Sequence, residues 1–275
     1  GSPAHLAVDD TDSFLYVSNY CGGNIAVIAV SPEGSLQSPC QVVQHISDPI
    51  APCEQSQGTS HVHEVTFSSN RSVLVNDLGH NQIFEYAVDA DGLLVTPPVA
   101  VTHSPRSGAG PRHSLIHPSG RYAFVINELS SSMTSYYYDS SCASLGSEIM
   151  TISTLRPDEN ATDMAAAELQ ISSNGKYLYG SNRDISSPNL GRNSIVVFAV
   201  DEVSGMLKTL QHVDTRGEHP RFFNFFLNET VLLVGNMNSN TIATFLVGND
   251  TGTLTPVNAD EMTSVDAPTH MVKYR

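Results

Sequence analysis

Three arginines (Arg112, Arg183, Arg221), two glutamates (Glu128, Glu168) and three histidines (His61, His63, His113) suit a single chemistry if the fold brings them together. Guanidinium groups capture carboxylates or phosphate bidentately, and a carboxylate with imidazoles beside it moves protons near neutral pH. His61 and His63 alternate along an expected strand, so they are expected to point to opposite faces and not to share a metal ion. A GxSxG elbow, a Walker loop and a dinucleotide fingerprint are all missing, which removes serine-hydrolase, NTPase and Rossmann readings. The residues therefore point to a binding and acid–base site for a small anion, with no metal and no cofactor.

Whether these residues meet depends on the elements that carry them, and those elements repeat. Segments anchored at His5, His63, His113, Glu168 and Phe222, with a sixth opening at His270, share one layout. Each has a short strand, a turn, a strand ending in Asn or Asp, another strand and a Gly-bearing turn. The mean spacing is about 53 residues, the period of a four-stranded β-propeller blade. Fourteen residues beyond the first five anchors stand Asn19, Asp77, Asn127, Asn182 and Asn236, read as Asx groups satisfying backbone at strand ends. The next column holds Tyr20, Leu78, Glu128, Arg183 and Met237. Antiparallel hairpins put anchors and these columns at one end of each blade, with the turn residues Asp12, Asn70, Gly120 and Gly175 at the other. The stretch 164–169 after Asp163 has a helical competitor, but the repeat requires an innermost strand there. The other histidines, at 45, 80, 103, 117, 212 and 219, fall mostly in connections and read as surface or packing residues.

The expected fold is an all-β propeller forming one domain over residues 1–275, with five complete blades and the inner strand of a further one. An open ring implies that roughly one and a half to two N-terminal blades are absent from this chain, since an unpaired edge invites aggregation. A closed five-bladed ring is the alternative.

Thirteen basic against 28 acidic residues give a net charge of −15, which argues against nucleic acid but not against a small anion held by focused arginines. No apolar run is long enough to span a membrane, and the N-terminus lacks a basic-then-apolar signal pattern. Cys40 and Cys53 could close a disulfide loop in an oxidising compartment, or stand as free thiols. Sequons occur at Asn70, Asn160, Asn228 and Asn249; with three lysines in the chain they favour a secreted or cell-wall glycoprotein over a cytoplasmic protein.

PAHLAVDD and SNYCGG near the start, HVHEV at 61–65, NDLGHNQIFEY at 76–86, GAGPRH at 108–113, INEL at 126–129, AAAELQIS at 165–172, SNR at 181–183 and HPRFF at 219–223 resemble the propeller lactonase family. That family contains propeller-type 6-phosphogluconolactonases and fungal carboxymuconate cyclases, and the resemblance covers nearly the whole chain. It implies a seven-bladed propeller and a site of His63, Arg112, Glu128 and Arg183, with His61, His113, Glu168 and Arg221 as substrate-binding neighbours. The implied activity is cycloisomerisation of 3-carboxy-cis,cis-muconate to a muconolactone: arginines hold the carboxylates and Glu128 or His63 handles the proton at carbon. Hydrolysis of 6-phosphogluconolactone is the alternative activity, and a non-enzymatic secreted fungal antigen or binding propeller the alternative class. The implied partners are a small carboxylate or lactone substrate and the missing N-terminal propeller segment. Ser60 stands where the family commonly has proline and Asn81 where an acidic residue is usual, and neither change removes a catalytic group.

Overall fold

The computed structural model describes residues 1–45, 58–69, 71–257 and 262–272. Its strands form five antiparallel meanders in chain order. The first comprises β1 (Pro3–Val8), β2 (Phe14–Asn19), β3 (Asn24–Val30) and β4 (Leu36–Gln44), and the second β5 (Val62–Ser69), β6 (Ser72–Asp77), β7 (Gln82–Ala87) and β8 (Ala100–His103). The third comprises β9 (Pro111–Ile116), β10 (Tyr122–Asn127), β11 (Ser132–Asp139) and β12 (Ser144–Ser153), and the fourth β13 (Met164–Ile171), β14 (Tyr177–Asp184), β15 (Ser194–Val200) and β16 (Leu207–Asp214). The fifth comprises β17 (Pro220–Phe226), β18 (Val231–Asn236), β19 (Thr241–Val247) and β20 (Leu254–Pro256), with β21 (Thr263–Ser264) also pairing to β19. The chain divides into two compact units, Gly1–Ile116 with Tyr138–Gly146 and His117–Tyr137 with Ser147–Arg275.

Sheets stack on one another inside each unit, which is why strands such as SIVVFAV of β15 are apolar along their length rather than alternating. In the first unit Tyr16, Ile25 and Val27 pack on Val62, Val65, Val73 and Val75. In the second, Tyr179, Ile195 and Val197 pack on Phe223, Phe225, Leu232 and Val234. Each such side chain contributes roughly 1.5–3 kcal/mol by leaving water. A tyrosine ties each stack at its far end: Tyr16 Oη donates to the Gly92 carbonyl at 2.6 Å and Tyr179 Oη to that of Gly252 at 2.7 Å. Both glycines have positive φ, 75° and 65°, and a Cβ there would overlap Phe14 or Tyr177 at 2.3 Å.

The stretch 164–169 is strand, as the repeat requires; the helical tendency around Asp163 is spent on a short 3₁₀ turn, Ala161–Asp163, capped by Asn160. Asp12, Gly120 and Gly175 lie in the hairpin turns with φ of 56°, 67° and 75°. Asn160, Asn228 and Asn249 are exposed, the last two in the β17–β18 and β19–β20 turns; Asn70 lies outside the described residues. The Cys40–Cys53 pairing is corrected: Cys40 is an exposed free thiol, as is Cys142, Cys53 lies outside the described residues, and Cys21 is a disulfide-bonded cysteine. No helix among the described residues is long and apolar enough to cross a membrane.

Glu85, 0% exposed on β7, accepts a backbone hydrogen bond from Leu145 at 3.2 Å, and its Oε2 has no partner among the described residues. Burial pushes its carboxyl above the ordinary value of 4.5, with the Leu145 and Ser144 hydrogen bonds opposing only in part. A raised carboxyl favours folding progressively as pH falls from neutral toward about 4.5, because the folded state then binds more protons. Glu85→Gln is expected to add about 1 kcal/mol at pH 7 and to flatten that pH slope, measured as unfolding free energy between pH 7 and 5.

Candidate active site

The ladder between the first two strands of a sheet carries a recurring irregularity. Pairing steps between Pro3 and His5, Val62 and Glu64, Ala166 and Leu169, and Pro220 and Phe222. Ala4, His63, the pair Ala167–Glu168, and Arg221 therefore sit in bulges. A bulge takes a residue off the ladder and re-aims its side chain, so His63, Glu168 and Arg221 are positioned by backbone irregularity rather than by regular pleat.

In the second unit the sequence-predicted pair Glu128 and Arg183 forms a buried ion pair, Arg183 Nη2 to Glu128 Oε1 at 2.9 Å, with side chains 4% and 3% exposed. The guanidinium is held on its other edges as well. Nε donates to the Ala165 carbonyl at 3.3 Å, Nη2 to that of Ala166 at 3.1 Å, and Nη1 to His219 Nε2 at 3.4 Å. Ala166 N donates to the Glu128 carbonyl at 3.2 Å, which ties the strand under the arginine to the residue opposite it. Asn193 Oδ1 accepts from His219 N at 3.1 Å and from Asp184 N at 3.0 Å, fixing the neighbours of the pair. Burial opposes ionisation of Asp184, but hydrogen bonds from Arg192 and Ser186 outweigh it and hold the carboxyl well below the usual carboxylate range. Glu168 Oε1 turns along its own strand, accepting from Leu169 N at 3.1 Å and Gln170 Nε2 at 3.3 Å. Arg221 is half-buried.

In the first unit Arg112 is 1% exposed and lies against His113, Nη1 at 3.2 Å from Nε2. The His113 ring meets His63 edge-on at 5.0 Å and His5 at 5.3 Å. His61 and His63 do not point to opposite sides as alternation predicts: Tyr20 stacks on His61 at 4.6 Å and meets His63 edge-on at 5.7 Å. The bulge at His63 breaks the period of two on which that expectation rested. The anchor column is corrected for the same reason. Glu64 pairs with Asn76, as His5 pairs with Ser18 and Phe222 with Gly235, so Glu64 holds the register position given to His63. Glu64 is a buried carboxylate whose Oε2 accepts from Ser114 N at 2.6 Å, Ser114 Oγ at 3.0 Å and Asn76 Nδ2 at 2.8 Å, stapling β9 to the second sheet.

Sequence reasoning missed Tyr20, Glu64 and His219 as contributors. Tyr20 stood in the same column as Glu128 and Arg183, and His219 directly precedes a Pro-Arg pair like that at 111–112; either signal was available. His45 and His80, read as connection residues, are held on Asp77 Oδ2 at 2.8 and 3.1 Å.

The family model described as lactonase, 7-bladed β-propeller, matches residues 1–273. A 6-phosphogluconolactonase of Bacillus subtilis is 32% identical over 255 residues, spanning 92% of this chain and 68% of the relative. One from Formosa agariphila is 31% identical over 278 residues, 99% of this chain and 74% of the relative. Among solved structures, the periplasmic gluconolactonase of Pseudomonas aeruginosa superposes with a TM-score of 0.83 at 26% identity, covering 98% of this chain and 72% of its own. A putative 6-phosphogluconolactonase of Bacteroides fragilis gives 0.82 at 29% identity, covering 97% and 71%.

Proposed function

The chain belongs to the lactonase family of seven-bladed β-propellers, and from that premise we propose that it hydrolyses a sugar lactone of the 6-phosphogluconolactone or gluconolactone type. The names of the relatives favour ring hydrolysis over cycloisomerisation of a carboxymuconate. The observation that carries the reading is the buried Arg183–Glu128 pair, a cation and a proton acceptor held in contact away from water.

The pair supplies both parts of acyl transfer. The lactone carbonyl oxygen takes over the Arg183 Nη2 hydrogen bond that Glu128 Oε1 accepts in the free protein, and the two backbone carbonyls keep the guanidinium in place during the exchange. Glu128 Oε1 then accepts a proton from the attacking water as its oxygen bonds to the carbonyl carbon, and Arg183 stabilises the oxyanion. The oxyanion collapses, the bond from carbon to ring oxygen breaks, and the proton on Glu128 passes to that oxygen, giving the open hydroxy acid.

The test offers the purified chain 6-phosphogluconolactone, glucono-δ-lactone and 3-carboxy-cis,cis-muconate, following acid release by pH-stat for the lactones and diene absorbance for the muconate. Lactone opening above the spontaneous rate, with unchanged diene absorbance and a loss of kcat/KM in Arg183→Met, supports the proposal. Diene loss without lactone opening favours the cyclase and contradicts it.

A further inference from the structure

The Asx residue at or near the end of the second strand does the same job in the fourth and fifth sheets. It reaches the residue that follows the fourth strand of the preceding sheet. In the second unit Asn182 Nδ2 donates to the Thr154 carbonyl at 2.8 Å while Thr154 Oγ1 donates to Asn182 Oδ1 at 2.7 Å, and Asn236 Nδ2 donates to the Thr215 carbonyl at 2.9 Å. A neutral amide and a threonine suffice for this latch. At the corresponding place in the first unit the amide is replaced by Asp77 and the threonine by His45, and His80 from the β6–β7 turn is added.

The three groups converge on one oxygen. Asp77 Oδ2 lies 2.8 Å from His45 Nδ1, 3.1 Å from His80 Nδ1 and 2.6 Å from Ser60 Oγ, while Oδ1 accepts from His61 N at 2.8 Å and His80 N at 3.0 Å. Three donors therefore crowd an oxygen with two lone pairs. The two imidazole nitrogens and the carboxylate oxygen lie within 4.8 Å of one another. Tetrahedral ligands at zinc are separated by roughly 3.3 Å, so the two contacts at Oδ2 open by roughly 0.2–0.5 Å and the two imidazole nitrogens, within 4.8 Å of each other, draw together by up to about 1.5 Å. His45 is held for this role from its other side: Nε2 is 3.1 Å from Tyr86 Oη, an acceptor that fixes the proton on Nε2 when Nδ1 binds a cation. The Phe84 ring lies against the imidazole at 4.0 Å. His45 and Asp77 side chains are 2% and 0% exposed and that of His80 is 19% exposed, so solvent reaches the group from the His80 side.

We propose that His45 Nδ1, His80 Nδ1 and Asp77 Oδ2 bind one divalent first-row transition ion, zinc or cobalt being the probes, with Ser60 and Tyr86 orienting the ligands. The set of two imidazoles and one carboxylate suits such ions and not magnesium or calcium, which take all-oxygen shells. The site shares no residue with the Arg183–Glu128 pair, and its loss leaves the lactonase reading standing.

The test uses the full chain stripped with a chelator and dialysed. Cobalt(II) titration is expected to give the visible d–d absorption of a low-coordinate site saturating at one equivalent, and zinc to displace it and raise the melting temperature. His80→Ala is expected to weaken binding about 100-fold, while His103→Ala, on an exposed histidine, leaves it unchanged. Asp77→Asn can disturb folding because it alters the latch, so His80→Ala, checked by its circular dichroism, is the decisive variant. No cobalt absorption at equimolar micromolar concentrations, or His80→Ala binding as tightly as the parent, overturns the proposal.

Discussion

Glu128→Gln is expected to lower kcat/KM for the lactone by about 10³-fold, mostly through kcat, because the amide cannot accept the water proton. The substitution preserves shape, so KM is expected to move much less. It also removes the carboxylate from a buried guanidinium whose side chain is 4% exposed. Breaking such a pair on one side costs about 3–5 kcal/mol, so melting temperature must be measured beside activity, with kinetics run well below the variant's transition. A merely structural Glu128 would give a variant whose residual activity, measured where it is fully folded, stays within a few-fold of the parent.

Arg183→Met is the second large effect, and its value lies in combination. Alone it leaves the Glu128 carboxylate without the guanidinium at 2.9 Å, and both stability and turnover are expected to fall. Joined to Glu128→Gln, it removes both charges, and replacing a buried pair by uncharged groups is often near neutral. The double variant is therefore expected to recover most of the lost stability while turnover stays about 10³-fold down, since the two residues act as one unit and their losses do not multiply. Melting curves and kcat/KM for the four proteins of the cycle check this. Recovery of activity along with stability would show the pair to be a packing device.

Much of this arrangement was legible before any coordinates. The period near 53 residues gave five meanders, and the column fifteen residues beyond the anchors held Glu128 and Arg183, which repeat geometry brings into contact across adjacent sheets. It also read 164–169 as strand against a helical composition, since neighbouring sheets bury that stretch on both sides. What it did not carry was the register of β5. Asp77 faces Val62, 15 residues back, whereas Asn19 faces Pro3 and Asn236 faces Pro220, 16 residues back. The hairpin connection takes up the difference, with five residues between the paired Phe67 and Val73 against six between Val8 and Leu15 and between Phe225 and Leu232. Bulges follow from backbone hydrogen bonding and turn length, not from residue type, so an evenly spaced column concealed that His63 belongs with Arg221 and Glu64 with His5. His45 was illegible for a related reason: a residue just past a fourth strand looks like a connection until the next sheet closes over it.

The most direct measurement is the rate at which the purified parent chain opens 6-phosphogluconolactone and glucono-δ-lactone, followed by pH-stat against the spontaneous reaction. Saturable acceleration of at least one lactone, lost in Glu128→Gln, is the expected result. A parent rate no faster than buffer with both lactones would contradict it.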